Sequence, residues 1–119
     1  MVASFALTAL ASVSALAPAR DTITLDTPTG AIAGTLLIPS GNGPFALVVI
    51  IAGSGPTDRD GNSPLLPGAN NSLKLLAEGL ADRGVASLRY DKRGVAASAK
   101  AMVSEADLRF NTYADDAAA

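Results

Sequence analysis

Polar and apolar residues alternate through Asp21-Thr22-Ile23-Thr24-Leu25-Asp26, a period of two that predicts a half-buried strand. Thr27-Pro28-Thr29-Gly30 follows as a turn, and residues 31–38 are rich in β-formers up to Pro39, so the two runs together predict an antiparallel hairpin. Ser40-Gly41-Asn42-Gly43-Pro44 is a loop by composition. The pattern then changes. Phe45-Ala46-Leu47-Val48-Val49-Ile50-Ile51-Ala52 is apolar without interruption. A strand lacking a polar face is one covered on both sides, as in a parallel sheet sandwiched by helices.

Residues 53–70 form a long loop rich in Gly, Pro, Asp and Asn, and loops of that length inside a small domain tend to carry function. Beyond it the period becomes helical. Leu73, Leu76, Ala77 and Leu80 fall at i, i+3, i+4 and i+7, with Asn71 or Ser72 placed to cap the start and Gly84 to stop the end. Residues 85–90 predict a second buried strand, so strand, helix and strand make one right-handed βαβ unit. Residues 91–98 form a loop at that strand's carboxyl end. A last helix is predicted to begin near Asn111 or Thr112, with Asp115 completing a capping box on Thr112. The fold class is therefore α/β, an antiparallel hairpin followed by a parallel βαβ unit. Two parallel strands and one and a half helices leave such a sheet incompletely covered, which is the pattern of a truncated domain over residues 20–119.

The first 16 residues contain no charge and are built from Ala, Leu, Val, Phe, Ser and Thr after the initial Met. That run is short for a bilayer span, and the small residues at Ala17-Pro18-Ala19 suit a cleaved export signal, residues 1–19, with the cut after Ala19. Its missing feature is a Lys or Arg ahead of the apolar run; the competing reading is a buried N-terminal helix. A signal peptide implies a secreted or periplasmic product with no membrane span after its removal.

Composition narrows the chemistry. The chain has 119 residues, 49% of them hydrophobic and 17% charged, enough for one small packed domain. Its net charge of −2 and lack of a basic run exclude a nucleic-acid partner, which would require clustered Lys and Arg. No cysteine is present, so there is no disulfide, thiolate metal site or Cys nucleophile. No histidine is present either, which removes the commonest general base and the commonest transition-metal ligand.

Two segments carry candidate chemistry. The first is Ala52-Gly53-Ser54-Gly55-Pro56-Thr57-Asp58-Arg59-Asp60-Gly61, directly after the apolar strand. Glycines there let the backbone turn sharply and aim N–H groups into the crevice outside a parallel sheet's carboxyl edge. Amides fixed in that way suit a developing oxyanion; the same glycines also suit an ordinary turn. Ser54 is not in a nucleophile elbow, because GxSxG would need glycine at Ala52 and Pro56. A calcium loop through Asp58, Asp60 and Asn62 fails at Ser63 and Ala69, so Asx turns with local pairing of Arg59 are expected instead. No phosphate-loop or dinucleotide fingerprint is complete, and no cofactor is expected. Asn70-Asn71-Ser72 fits a glycosylation acceptor only as a three-residue pattern. The second segment is Arg89-Tyr90-Asp91-Lys92-Arg93-Gly94-Val95-Ala96-Ala97-Ser98, a charged turn in which Asp91 and Arg93 either pair with each other or hold neighbouring backbone.

Together these segments resemble the α/β-hydrolase superfamily, and within it the bacterial secreted esterases of the serine-aminopeptidase-like group, which carry GSGPxDRDG after one strand and YDKRGxGxS after the next. The resemblance covers residues 34–119, with one departure: Ala96 stands where glycine is usual. It implies a small-molecule carboxylic ester as substrate, with a peptidase or amidase on the same scaffold and a non-catalytic α/β binding fragment as the alternatives. It also implies that a backbone N–H in the first loop serves the oxyanion, Ser54 first and Gly55 second. The catalytic serine, acid and histidine of such hydrolases have no match in this chain, so it is expected to be inactive alone. The neighbouring nucleophile strand of the family is likewise unmatched, which implies that residues 45–52 form an exposed apolar edge.

Overall fold

A computed structural model describes residues 16–119. Most of the expected leader lies outside them, and the expected cut after Ala19 falls at the first residue of the first strand. Strands β1 (Ala19–Thr27) and β2 (Gly30–Ile38) pair antiparallel from Ala19 opposite Ile38 to Thr27 opposite Gly30, closed by Pro28-Thr29. Both extend slightly beyond the runs predicted from alternation. Strand β3 (Ala46–Ile50), helix α1 (Ser72–Ala81) and strand β4 (Val85–Tyr90) follow, then a short 3-10 helix over Ala96–Ala101 and helix α2 (Phe110–Ala118). The sheet order is β1-β2-β4-β3, with β4 antiparallel to β2 and parallel to β3. The predicted hairpin and βαβ unit thus share one mixed sheet.

Strand alternation sorts the side chains to two faces. On one, Leu37, Ile50, Ala77 and Ala81 are buried together, with Leu73 and Leu80 packed at the margin, so α1 lies across this face. On the other, Ile32, Tyr90 and Ala101 form a second cluster flanked by Leu25 and Ala117, which brings the 3-10 helix and the end of α2 onto it. The buried stripe of α1 is rotated from the predicted one: Ala77 and Ala81 are its innermost residues, whereas Leu76 is 51% exposed. Alanines let the helix axis come close to the sheet, and the longer leucines fill the flanks.

Helix ends differ from the sequence expectation. Asn71 occupies the N-cap position of α1 with φ 52° and makes no side-chain cap. Its carboxamide oxygen accepts from Asn62 instead, while the free N–H groups of Leu73 and Lys74 donate to the carbonyl of Asp60 at 3.1 and 3.3 Å. The preceding loop therefore satisfies the donors that a capping side chain would otherwise take. Gly84 does end the helix as expected, with φ +78° and its N–H on the Ala81 carbonyl at 3.0 Å. Helix α2 starts at Phe110 after Arg109, so Thr112 lies inside the first turn and no capping box with Asp115 forms.

The apolar strand β3 is the sheet's edge, and its burial is the main departure from the two-sided cover that its composition predicts. Ile50 is 8% exposed, whereas Leu47, Val48, Val49 and Ile51 are between 39% and 55% exposed. The cause is positional: β3 has a hydrogen-bonded neighbour only in β4, and α1 reaches no further along it than Ile50. An apolar edge without charge or proline is a template for strand addition. The chain should therefore self-associate with rising concentration in size-exclusion chromatography. Leu47→Lys, which puts a charge on the exposed edge, should shift it towards monomer without lowering the melting temperature; an unchanged elution profile would count against edge pairing.

Candidate functional site

Because β3 and β4 run parallel, both leave the sheet at the same edge, and the segments that follow them face each other. Residues 53–56 after β3 and residues 92–95 after β4 line a groove of about 610 Å³, closed on a third side by Met102, Phe110 and Tyr113. This is the crevice at the carboxyl ends of parallel strands where α/β proteins take their ligands. The two segments singled out in the sequence are thereby brought together, with Ser54 and Gly55 among the lining residues.

The local backbone explains why. Gly55 has φ +75°, and a Cβ built there or on Gly53 would meet nothing, so the loop stands free of its surroundings. The amide N–H groups of Ser54 and Gly55 donate to no acceptor among the described residues, while the carbonyls of the same peptides are engaged. Lys92 Nζ donates to the carbonyl oxygen of Gly53 and, at 3.1 Å, to that of Gly55. Thr57 Oγ1 donates to the Ser54 carbonyl at 3.3 Å. Burial holds the Lys92 ammonium below the ordinary lysine range.

Behind this tip the loop is pinned to β4 by crossed pairs of charges. Asp58 Oδ1 accepts from the N–H groups of Asp60 and Asn62, both at 2.9 Å, the Asx turn that its sequence predicts. Arg59, by contrast, does not pair locally. Its backbone N–H donates to Asp91 Oδ1 at 2.7 Å, and its Nη1 lies 3.5 Å from Asp91 Oδ2, inside ion-pair range without hydrogen-bond geometry. Asp60 Oδ1 accepts from Arg89 Nη2 at 3.1 Å. Arg89 is 1% exposed, and its Nε and Nη1 have no partner among the described residues. Gly61 is required at the end of this turn: at φ +93°, a Cβ would come within 3.0 Å of Leu73 N and closer still to the Ser72 hydroxyl.

The charged turn after β4 is similarly built from long-range contacts, and Asp91 and Arg93 do not pair with each other. Asp91 is 2% exposed and also accepts from the N–H of Ala97 at 3.1 Å, so one carboxylate ties both loops. Arg93 makes a bidentate pair with Asp116 of α2, both contacts at 2.6 Å, and also reaches Thr27, Thr29 and the Ala101 carbonyl. The Asp116 hydrogen bond raises the Arg93 pKa above its ordinary value. The neighbouring Tyr90 phenol is also pushed up, first by burial and then by the charge of Asp116. Ser98 is fully buried and its hydroxyl accepts the N–H of Ala33 at 2.9 Å, a tie between the 3-10 helix and β2. Ala96 takes φ +43°, the left-handed region. Neither the 3-10 helix nor the part played by Lys92 is visible in the sequence pattern. The signal for Lys92 is only its place two residues after the strand end, opposite the glycines.

Among the described residues, no three His, Cys, Asp or Glu side chains gather as metal ligands would, and no helix is long and apolar enough to cross a membrane. The site offers oriented N–H groups and one ammonium, and its carboxylates are committed to arginines and backbone.

No protein-family model matches the chain. Esterase EstD of Thermotoga maritima is 41% identical over 68 residues, which is 57% of this chain and 16% of that protein. The chain thus spans less than a fifth of the length of this relative. Among solved structures, a Xanthomonas campestris member of the α/β serine hydrolases without a lid superposes with a TM-score of 0.47 at 22% identity, covering 66% of this chain and 34% of the other. The mixed sheet joins an antiparallel hairpin to a parallel βαβ unit, the α/β architecture that the sequence predicts.

Two stability predictions follow from this geometry. Ala96→Gly should stabilise the chain by up to about 1 kcal/mol, because the left-handed conformation disfavours a Cβ; an unchanged or lower thermal midpoint would argue against strain at Ala96. For the buried pair, Asp60→Ala should destabilise by about 2 kcal/mol, since it strands the Arg89 charge, whereas Arg89→Met should be within about 1 kcal/mol of wild type. Urea unfolding of the two variants decides, and the reverse order would show that Arg89 is valued for more than its partner.

Proposed function

We propose that this chain forms the oxyanion-binding side of a serine hydrolase acting on small carboxylic esters. The observation that carries the reading is the pair of free amides at Ser54 and Gly55, held at the carboxyl edge of two parallel strands with their peptide carbonyls already engaged. When a serine attacks an ester carbonyl, negative charge develops on the carbonyl oxygen, and donors fixed beforehand stabilise that charge without reorganising. The similarity to an esterase over these residues supports the ester rather than the amide version of this chemistry.

The reading assigns the nucleophile and its base to other parts of the complete polypeptide. This chain has no histidine, and no GxSxG motif occurs in it. Arg59, Asp60, Arg89 and Asp91 act as the frame that keeps the amides in register, through pairs that tie the loop to the exit of β4.

The chain alone should show no saturable turnover of an activated short-chain ester, while the complete gene product should turn it over and lose activity to a serine-directed phosphonate. Phosphonate-sensitive turnover by the chain alone would overturn the assignment of nucleophile and base, and a complete gene product inert towards esters would overturn the ester reading.

A further inference from the structure

The ammonium of Lys92 is the one free cation in the groove that touches the glycine loop directly among the described residues, and its two contacts are on either side of Ser54. In a trans peptide the C=O and N–H point in opposite directions. Drawing the Gly53 carbonyl onto Lys92 Nζ therefore turns the Ser54 N–H away from Lys92. The second contact, to the Gly55 carbonyl, closes a staple that fixes the curvature of the loop between the two glycines. The Thr57 hydroxyl on the Ser54 carbonyl orients the next peptide, and with it the Gly55 N–H, by the same logic. A Cβ at Gly53 or Gly55 would meet no neighbour, so no close packing on that side of the loop does this instead. A charged donor also polarises the peptide whose oxygen it binds, which strengthens the N–H at the other end as a donor.

We propose that Lys92 is a positioning residue for the hydrolytic step, setting the direction and donor strength of the Ser54 amide through the Gly53 carbonyl. The inference rests on the oxyanion-loop reading above and extends it to a side chain that acts through the loop backbone. A lysine serving only to stabilise the loop would affect folding and substrate binding. One that aims an oxyanion donor acts where charge develops, and its loss appears in kcat.

Two measurements on the complete polypeptide test it. In ester hydrolysis, Lys92→Met should lower kcat about 10-fold with KM within about 2-fold of wild type, and Lys92→Arg, which keeps the charge and the donors, should recover most of the loss. In 15N–1H correlation spectra of serine-labelled protein, the Ser54 amide nitrogen should move upfield in Lys92→Met and return towards its original position in Lys92→Arg. An unchanged kcat in Lys92→Met, an equal loss in Lys92→Arg, or a Ser54 resonance indifferent to both substitutions would overturn the proposal. If the wild-type polypeptide hydrolyses no ester, the functional reading fails and the proposed role in hydrolysis with it, while the Ser54 resonance still decides whether Lys92 orients the amide.

Discussion

Four charges from two short segments, Arg59 and Asp60 after β3 and Arg89 and Asp91 at the end of β4, hold the candidate site in shape. The pairs cross, so that adjacent residues of the loop reach two different positions on the strand exit. A crossed arrangement resists both sliding and rotation of the loop, which a single ion pair would allow. Arg89 and Asp91 are almost completely buried, and the desolvation of such charges makes any register that leaves them unpaired unfavourable. Asp60 also offers its carbonyl to the first free N–H groups of α1, so the same residue joins the glycine loop, the central strand and the helix.

From that frame the rest follows. The loop tip carries Ser54 and Gly55 along the groove, and its side-chain hydrogen bonds among the described residues come from Lys92 and Thr57. Arg93 and Asp116 draw α2 against the same end of the sheet, and their bidentate pair is nearly sealed from solvent. The site is thus rigid where charges lock it and open where its amides point.

The sheet is not equally finished on all sides. Covering elements lie over β2 and β4 on both faces, while β3 presents aliphatic side chains to solvent along an unpaired edge. The residues of β3 have the composition of a central strand, and their exposure here is a matter of neighbours rather than of sequence. Strand and site are adjacent, so what pairs with β3 would also border the groove.

Much of this was written in local pattern. The alternation in residues 21–26, the unbroken apolar run before Ala52, the i, i+3, i+4 spacing around Leu73 and the glycines at 53, 55 and 84 determined hairpin, strand, helix and turn, because each depends on near neighbours in the chain. Tertiary structure alone decided the partners. Asp91 and Arg93 are two residues apart and suit either a mutual pair or bonds to neighbouring backbone; Asp91 takes the second course with the N–H groups of Arg59 and Ala97, while Arg93 finds the carboxylate of Asp116, 23 residues away. Thr112 and Asp115 have capping-box spacing, but the helix begins earlier, where α2 docks through Asp116 and Ala117. Likewise Lys92 acquires a role only when parallel pairing sets the exit of β4 beside the exit of β3. The chain's periodicity determines which segments are strands and helices; charge partners and the direction of an amide depend on groups that are distant in sequence and meet only once those elements have packed.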